Sequence, residues 1–160
     1  MSAVLASTRA TRPAWLDAAC RALAQVVEPM LEAQVTSIEP AGDQHVAGVA
    51  AYVPVMAPGD PVQVGVVASA DDAAAIARRM LQLPDDEPIG EGDIGDAIGE
   101  LANMIAGATK ASLASEIGVV ALGLPVVVNG RVAESAHHSV REQIATVGPW
   151  RVGVVVVAAM

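Results

Sequence analysis

Three valine-rich runs constrain this chain most: "HVAGVAAYVPVM" at 45–56, "VQVGVVA" at 62–68 and "VGVVVVAAM" at 152–160. Valine is stiff at χ1 and suits a pleated, half-buried surface better than a helix. None of the runs reaches the ~18 residues that a membrane span needs, so each reads as a strand. The "APGDP" between the first two has turn chemistry and predicts a hairpin. Pro54 has no N–H for a ladder, which places its strand at an edge or at a bulge. What covers the sheet follows from what is missing. The chain is 53% hydrophobic yet has no Phe, two Trp and one Tyr. Its core must then be Val, Ala, Leu and Ile, a sheet under alanine-rich helices.

The helices show in the spacing. Residues 1–12 read as a flexible arm whose apolar run is too short for a secretory signal. Trp15, Leu16, Ala19, Leu23, Val26 and Val27 then recur at helical intervals, predicting a helix from Pro13 to about residue 35 that Pro29 kinks or whose last turn it splits off. Ser69 followed by Asp72 resembles a capping box and opens a short helix through Ala75, Ile76, Met80 and Leu81. An acidic loop, "PDDEPIGEGD", precedes a longer helix from about Asp93 to Glu116, which Gly118 ends. "VVALGL", "VVV", an Asn129-Gly130 hairpin turn and apolar runs around Ile144 and Val154 complete the chain. The fold class is α/β of the α+β kind, a mainly antiparallel sheet with packed helices. At 160 residues one domain, 13–160, suffices.

Several functions are disfavoured. A formal net charge of −9 opposes binding to a phosphate backbone, so no nucleic-acid partner is expected. The single cysteine, Cys20, fits core packing and a reducing, cytoplasmic compartment. No membrane association is expected. His137 and His138 are adjacent, point to opposite faces of a strand and cannot readily share a metal. Ser135, Ser139 and these histidines form no recognisable nucleophile arrangement. "IGEGDIG" lacks the Lys-Ser/Thr ending of a phosphate loop and is acidic. Arg78 and Arg79 read as helix surface, and Asp85, Asp86 and Glu87 as a solvated loop placed to meet a partner's basic rim.

The candidate site lies in "DIGDAIGELANMIAG", residues 93–107, a helix carrying glycines at Gly95, Gly99 and Gly107. Each costs roughly 1 kcal/mol against alanine. At about 100° per residue, Ile94, Ile98, Leu101, Ile105 and Ala108 form one stripe. Asp96, Glu100, Asn103, Gly107 and Lys110 form the opposite one. Glu100 and Asn103 face outward together, one turn apart. Gly107 lies one turn beyond Asn103 and Gly99 flanks the same surface, which would give a docking partner clearance. Polar residues at this spacing also mark any solvated helix face, so E-x-x-N alone is a weak motif.

"DIGDAIGELANMIAGATKASL" followed by "VVALGLPVVVNG" resembles the signature of the CheC/CheX/FliY chemotaxis phosphatases, most closely the CheX branch. The family pattern, an acidic or Ser residue, then E-x-x-N and a later proline, falls on Asp96, Glu100, Asn103 and Pro125. The resemblance implies hydrolysis of the aspartyl phosphate on a CheY-like response regulator. Asn103 would position the water, and Glu100, an acceptor-only carboxylate, would pair with the regulator's active-site lysine. Asp96, Gly99, Gly107 and Lys110 would contact the partner. No cofactor is expected on this chain; Mg²⁺ would belong to the regulator. The resemblance also implies a homodimer joined through sheet or strand exchange, for which "VGVVVVAAM" is a candidate unless it is an interior strand. Thr109 departs from the Asn expected in relatives. Two other readings stay open: a non-catalytic module that binds or scaffolds a regulator, and an unrelated structural or ligand-binding domain.

Overall fold

The computed structural model describes residues 12–57, 61–118 and 120–160. The expected arm lies outside these residues up to Arg12, and so does most of the "APGDP" turn. Four helices are described: α1 Arg12–Leu31, α2 Ala70–Met80, α3 Glu91–Ser112 and α4 Ala114–Ile117. The strands are β1 Val35–Pro40, β2 Gly48–Met56, β3 Val62–Ala68, β4 Ala121–Leu122, β5 Val126–Gly130, β6 His138–Val147 and β7 Trp150–Ala159. They form one seven-stranded sheet in the order β1-β6-β7-β3-β2-β4, with β5 also paired to β2. Every ladder is antiparallel, as the α+β reading expected.

Alternation along the strands gives the sheet two different faces. Val53, Val64, Val66, Val152, Val154 and Val156 pack under α1, α2 and α3 in the main core. Tyr52, Val67, Val155 and Val157 point the other way, into a smaller cluster with Ala41 and Val46. Within that second layer the Glu142 carboxylate accepts from His45 Nδ1 at 2.6 Å and from the Val46 amide at 3.4 Å, tying a loop across the sheet. Glu142 needs Gly153 beside it, because a Cβ there would collide with the carboxylate. Strand β7 is buried on both faces and interior to the sheet, which explains its unbroken valines.

Tertiary contacts reset several local expectations. Helix α1 ends at Leu31 rather than near residue 35, because Glu32 turns left-handed at φ 51°. Arg79 donates to the freed Leu31 carbonyl at 3.1 Å and lies 5.7 Å from the Trp150 ring. Arg79 and Arg78, which donates to the Glu87 carbonyl at 2.7 Å, are therefore struts rather than plain surface. Residues 35–40 form a strand unread in the sequence, paired to β6. Ser69 caps α2 by accepting from the Asp72 amide at 3.1 Å. The Asp72 carboxylate does not complete the box but accepts from the Arg151 amide at 3.1 Å.

Pro54 marks neither an edge nor a bulge, since β2 runs in unbroken register with β3. The Pro54 carbonyl accepts from Gly123 at 2.8 Å, on the side where β4 and β5 leave a gap. A strand residue points its N and C=O the same way, so the missing N–H falls in that gap. Asn129-Gly130 is no hairpin turn either: both residues pair with β2, and β6 pairs elsewhere.

Cys20 is buried on α1. Burial, then the nearby Asp17 charge, pushes its thiol from 9.0 up to about 11, with Arg21 opposing. Alkylation at pH 8 should run about 100-fold slower than for a free cysteine, since each unit of rise cuts the thiolate tenfold. Urea should restore the full rate; fast native modification, read by mass spectrometry, would contradict this burial.

Candidate functional site

Helix α3 begins at Gly90, whose extended backbone makes it the N-cap without a side-chain bond. Glu91 and Asp93 in the first turn and Lys110 in the last suit the helix dipole. The helix packs against α1, α2, β2, β3 and β5. Ile98, Leu101 and Ile105 are buried as the spacing predicts, joined by Ala97, Ala102, Ala106 and Thr109. Thr109 faces inward and donates to the Ile105 carbonyl at 2.7 Å. Its departure from the family residue is thus a packing matter on the buried side.

The opposite stripe stays accessible. Asp96 and Glu100 are exposed; Asn103, Gly107 and Lys110 are half-buried. Among the described residues, Glu100, Asn103 and Lys110 have no hydrogen-bond or ion-pair partner, and no buried side-chain polar atom is left unsatisfied. The carboxylate and the carboxamide are therefore free to bond elsewhere. Nothing lies within 4 Å of a Cβ placed on Gly107, so space does remain beside Asn103.

Gly99 corrects the expectation drawn for it. It is buried, and a Cβ placed on it would lie 3.6 Å from Val127 and 3.8 Å from Pro125. Gly95, Gly99, Ala102 and Ala106 make a third stripe of small residues, and β5 with its preceding proline approaches the helix at the two glycines of that stripe. Gly99 serves this internal contact and offers no open clearance to a partner. The contact also brings Pro125 against Gly99, the residue before Glu100, on the helix that carries the motif. Leu124 at 85%, Val126 at 55% and Met104 at 38% exposure leave apolar surface nearby. Sequence reasoning missed this surface, because strand alternation alone does not say which face is covered.

The remaining candidates stay apart from the helix. The Ser135 hydroxyl accepts from the His137 and His138 amides at 3.2 and 3.1 Å, which makes it a turn-former. Among the described residues no group of three His, Cys, Asp or Glu could hold a metal. No described helix is long and apolar enough to cross a membrane.

The family described as "Chemotaxis phosphatase CheX" matches residues 54–147, which include α3, Pro125 and the strands around them. The chain belongs to the CheX family. Solved CheX structures share its fold. The chemotaxis protein CheX from Desulfovibrio desulfuricans is 22% identical, with 89% of this chain and 97% of that one covered at a TM-score of 0.69. CheX from Vibrio vulnificus is 18% identical, with 90% and 95% covered at 0.71. A CheX-CheY-BeF3-Mg+2 complex from Borrelia burgdorferi is 14% identical, with 91% and 97% covered at 0.71. A search of curated proteins found no match.

The two glycines should respond oppositely to bulk. Gly99→Leu overpacks the β5 contact and should lower stability by about 1–3 kcal/mol. Gly107→Leu meets open space and should raise it by roughly 0.5–1 kcal/mol through helix propensity. Urea unfolding of both variants measures this, and equal shifts would refute the assignment of their faces.

Proposed function

We propose that this chain hydrolyses the aspartyl phosphate of a CheY-like response regulator, with Asn103 positioning the water and Glu100 docking on the regulator's active-site lysine. The observation that carries the reading is the stripe of Glu100, Asn103 and Gly107. It presents an unpartnered carboxylate, an unpartnered carboxamide and open space on a helix otherwise locked into the core. Membership of the CheX family and the fold shared with a CheX-CheY complex support it.

An acyl phosphate is already activated, so the accelerator's task is alignment. The Asn103 amide would hold a water in line with phosphorus. As the new P–O bond forms, the bond to the aspartyl oxygen breaks. The electron pair returns to the regulator's carboxylate, and the water's proton leaves with the phosphate or to solvent. No nucleophile or shifted pKa is required of this chain. Mg²⁺ would sit on the regulator, where it offsets phosphoryl charge. The protein would act in the cytoplasm as a homodimer, with Asp96 and Lys110 at the margin of the regulator contact.

Phosphate release from phosphorylated regulators of the same organism tests this. Wild type should accelerate it, and Asn103→Ala should remove at least about 100-fold of the acceleration. Glu100→Gln should weaken regulator binding about tenfold, equivalent to about 1.4 kcal/mol. Equal acceleration by wild type and Asn103→Ala would sink the residue assignment. Tight binding that slows phosphate loss would instead favour a scaffold.

A further inference from the structure

Beside the outward stripe of α3 lies a groove of about 480 Å³ between the first turns of that helix, β2 and β5. Val49, Ile94 and Val127 supply apolar walls, while Glu91 and Asp96 stand among its lining residues. Both carboxylates are exposed and lack a hydrogen-bond or ion-pair partner among the described residues. Gly92 also lines it, and a Cβ there would meet nothing within 4 Å.

The charge balance selects the occupant. The N-terminus of α3 opens here, and Ala70, the first residue of α2, also lines the groove. Two helix ends contribute roughly half a positive charge each. Glu91 and Asp96 alone outweigh that with two full negative charges, and Asp71 and Asp93 lie in the same first turns. The groove therefore disfavours an anion. Apolar walls below carboxylates suit a long basic side chain, with its methylenes against the walls and its head at the acids.

We infer that this groove receives a lysine or arginine of the response regulator, distinct from its active-site lysine, and selects which regulators are bound rather than how fast they turn over. The inference rests on the phosphatase reading above. Asp96 belongs both to the groove and to the stripe of Glu100 and Asn103. It lies about 10 Å along the helix axis from Asn103. A standard interface of roughly 800 Å² per partner centred on Asn103 would cover the groove mouth.

Glu91→Lys and Gly92→Leu test this, because one reverses a charge and the other adds bulk to the groove lining at a position where a Cβ meets nothing. With each variant, phosphate release and calorimetric binding are measured on the phosphorylated regulator. KM and Kd should rise at least about tenfold, while kcat stays within about twofold. Regulator variants with single exposed Lys or Arg changed to Glu should include one that restores binding to Glu91→Lys. Unchanged KM and Kd in both variants would overturn the inference while leaving the phosphatase reading intact. So would weakened binding that no regulator variant restores. If wild type binds without accelerating, hydrolysis fails and the groove is judged on Kd alone. If wild type does neither, both readings fall.

Discussion

Two glycines on one side of α3 set how closely that helix approaches β5, and the site depends on this distance. Gly95 and Gly99 let Val127 and Pro125 come against the helix. Ile98, Leu101 and Ile105 lock it into the valine core from another side. With two of its sides held, the helix cannot rotate about its axis without opening cavities, which close-packed interiors resist. Glu100 and Asn103 are thereby aimed outward by packing they do not share. The alignment role proposed for this pair would gain from such a mount, since a misplacement of about 1 Å can cost 100-fold in rate.

The sheet separates support from function. Its helix-covered face carries most of the core, and its other face is closed by loops around Tyr52 and the Glu142–His45 pair. Charge is distributed along the same lines. The acids preceding and opening α3, from Asp85 to Asp96, leave that end of the helix negative. Opposite charge on a partner would be drawn to this end, which favours encounter and selectivity more than raw affinity.

Legibility followed the range of the interactions. The Ser69 cap and the buried stripe through Ile98, Leu101 and Ile105 depend on neighbours within a few residues, and both were readable. The end of α3 was read too late: it stops at Ser112 with Leu113 as its C-cap, and Gly118, at φ +75°, ends the separate short helix α4 instead. The end of α1 was not readable either, because it is held by Arg79 from 48 residues away. Pro54 misled because its environment is set by a gap between two strands far along the chain. Asn129-Gly130 has the composition of a tight turn, yet pairing with β2 claimed it for a ladder. Residues 35–40 lack strong alternation and became a strand only through β6.

At the site the division is sharper. By itself the sequence determined that Asp96, Glu100, Asn103, Gly107 and Lys110 share one helix face, because that follows from the 3.6-residue repeat. It also determined an antiparallel, aromatic-poor α+β core, because valine runs and short polar turns admit few alternatives. Only the tertiary structure decided that Gly99 faces inward, that Pro125 lies beside the motif helix and that a groove opens next to Asp96. These depend on where β5 docks, and a strand's docking is fixed by contacts between segments distant in the chain, which local periodicity does not encode.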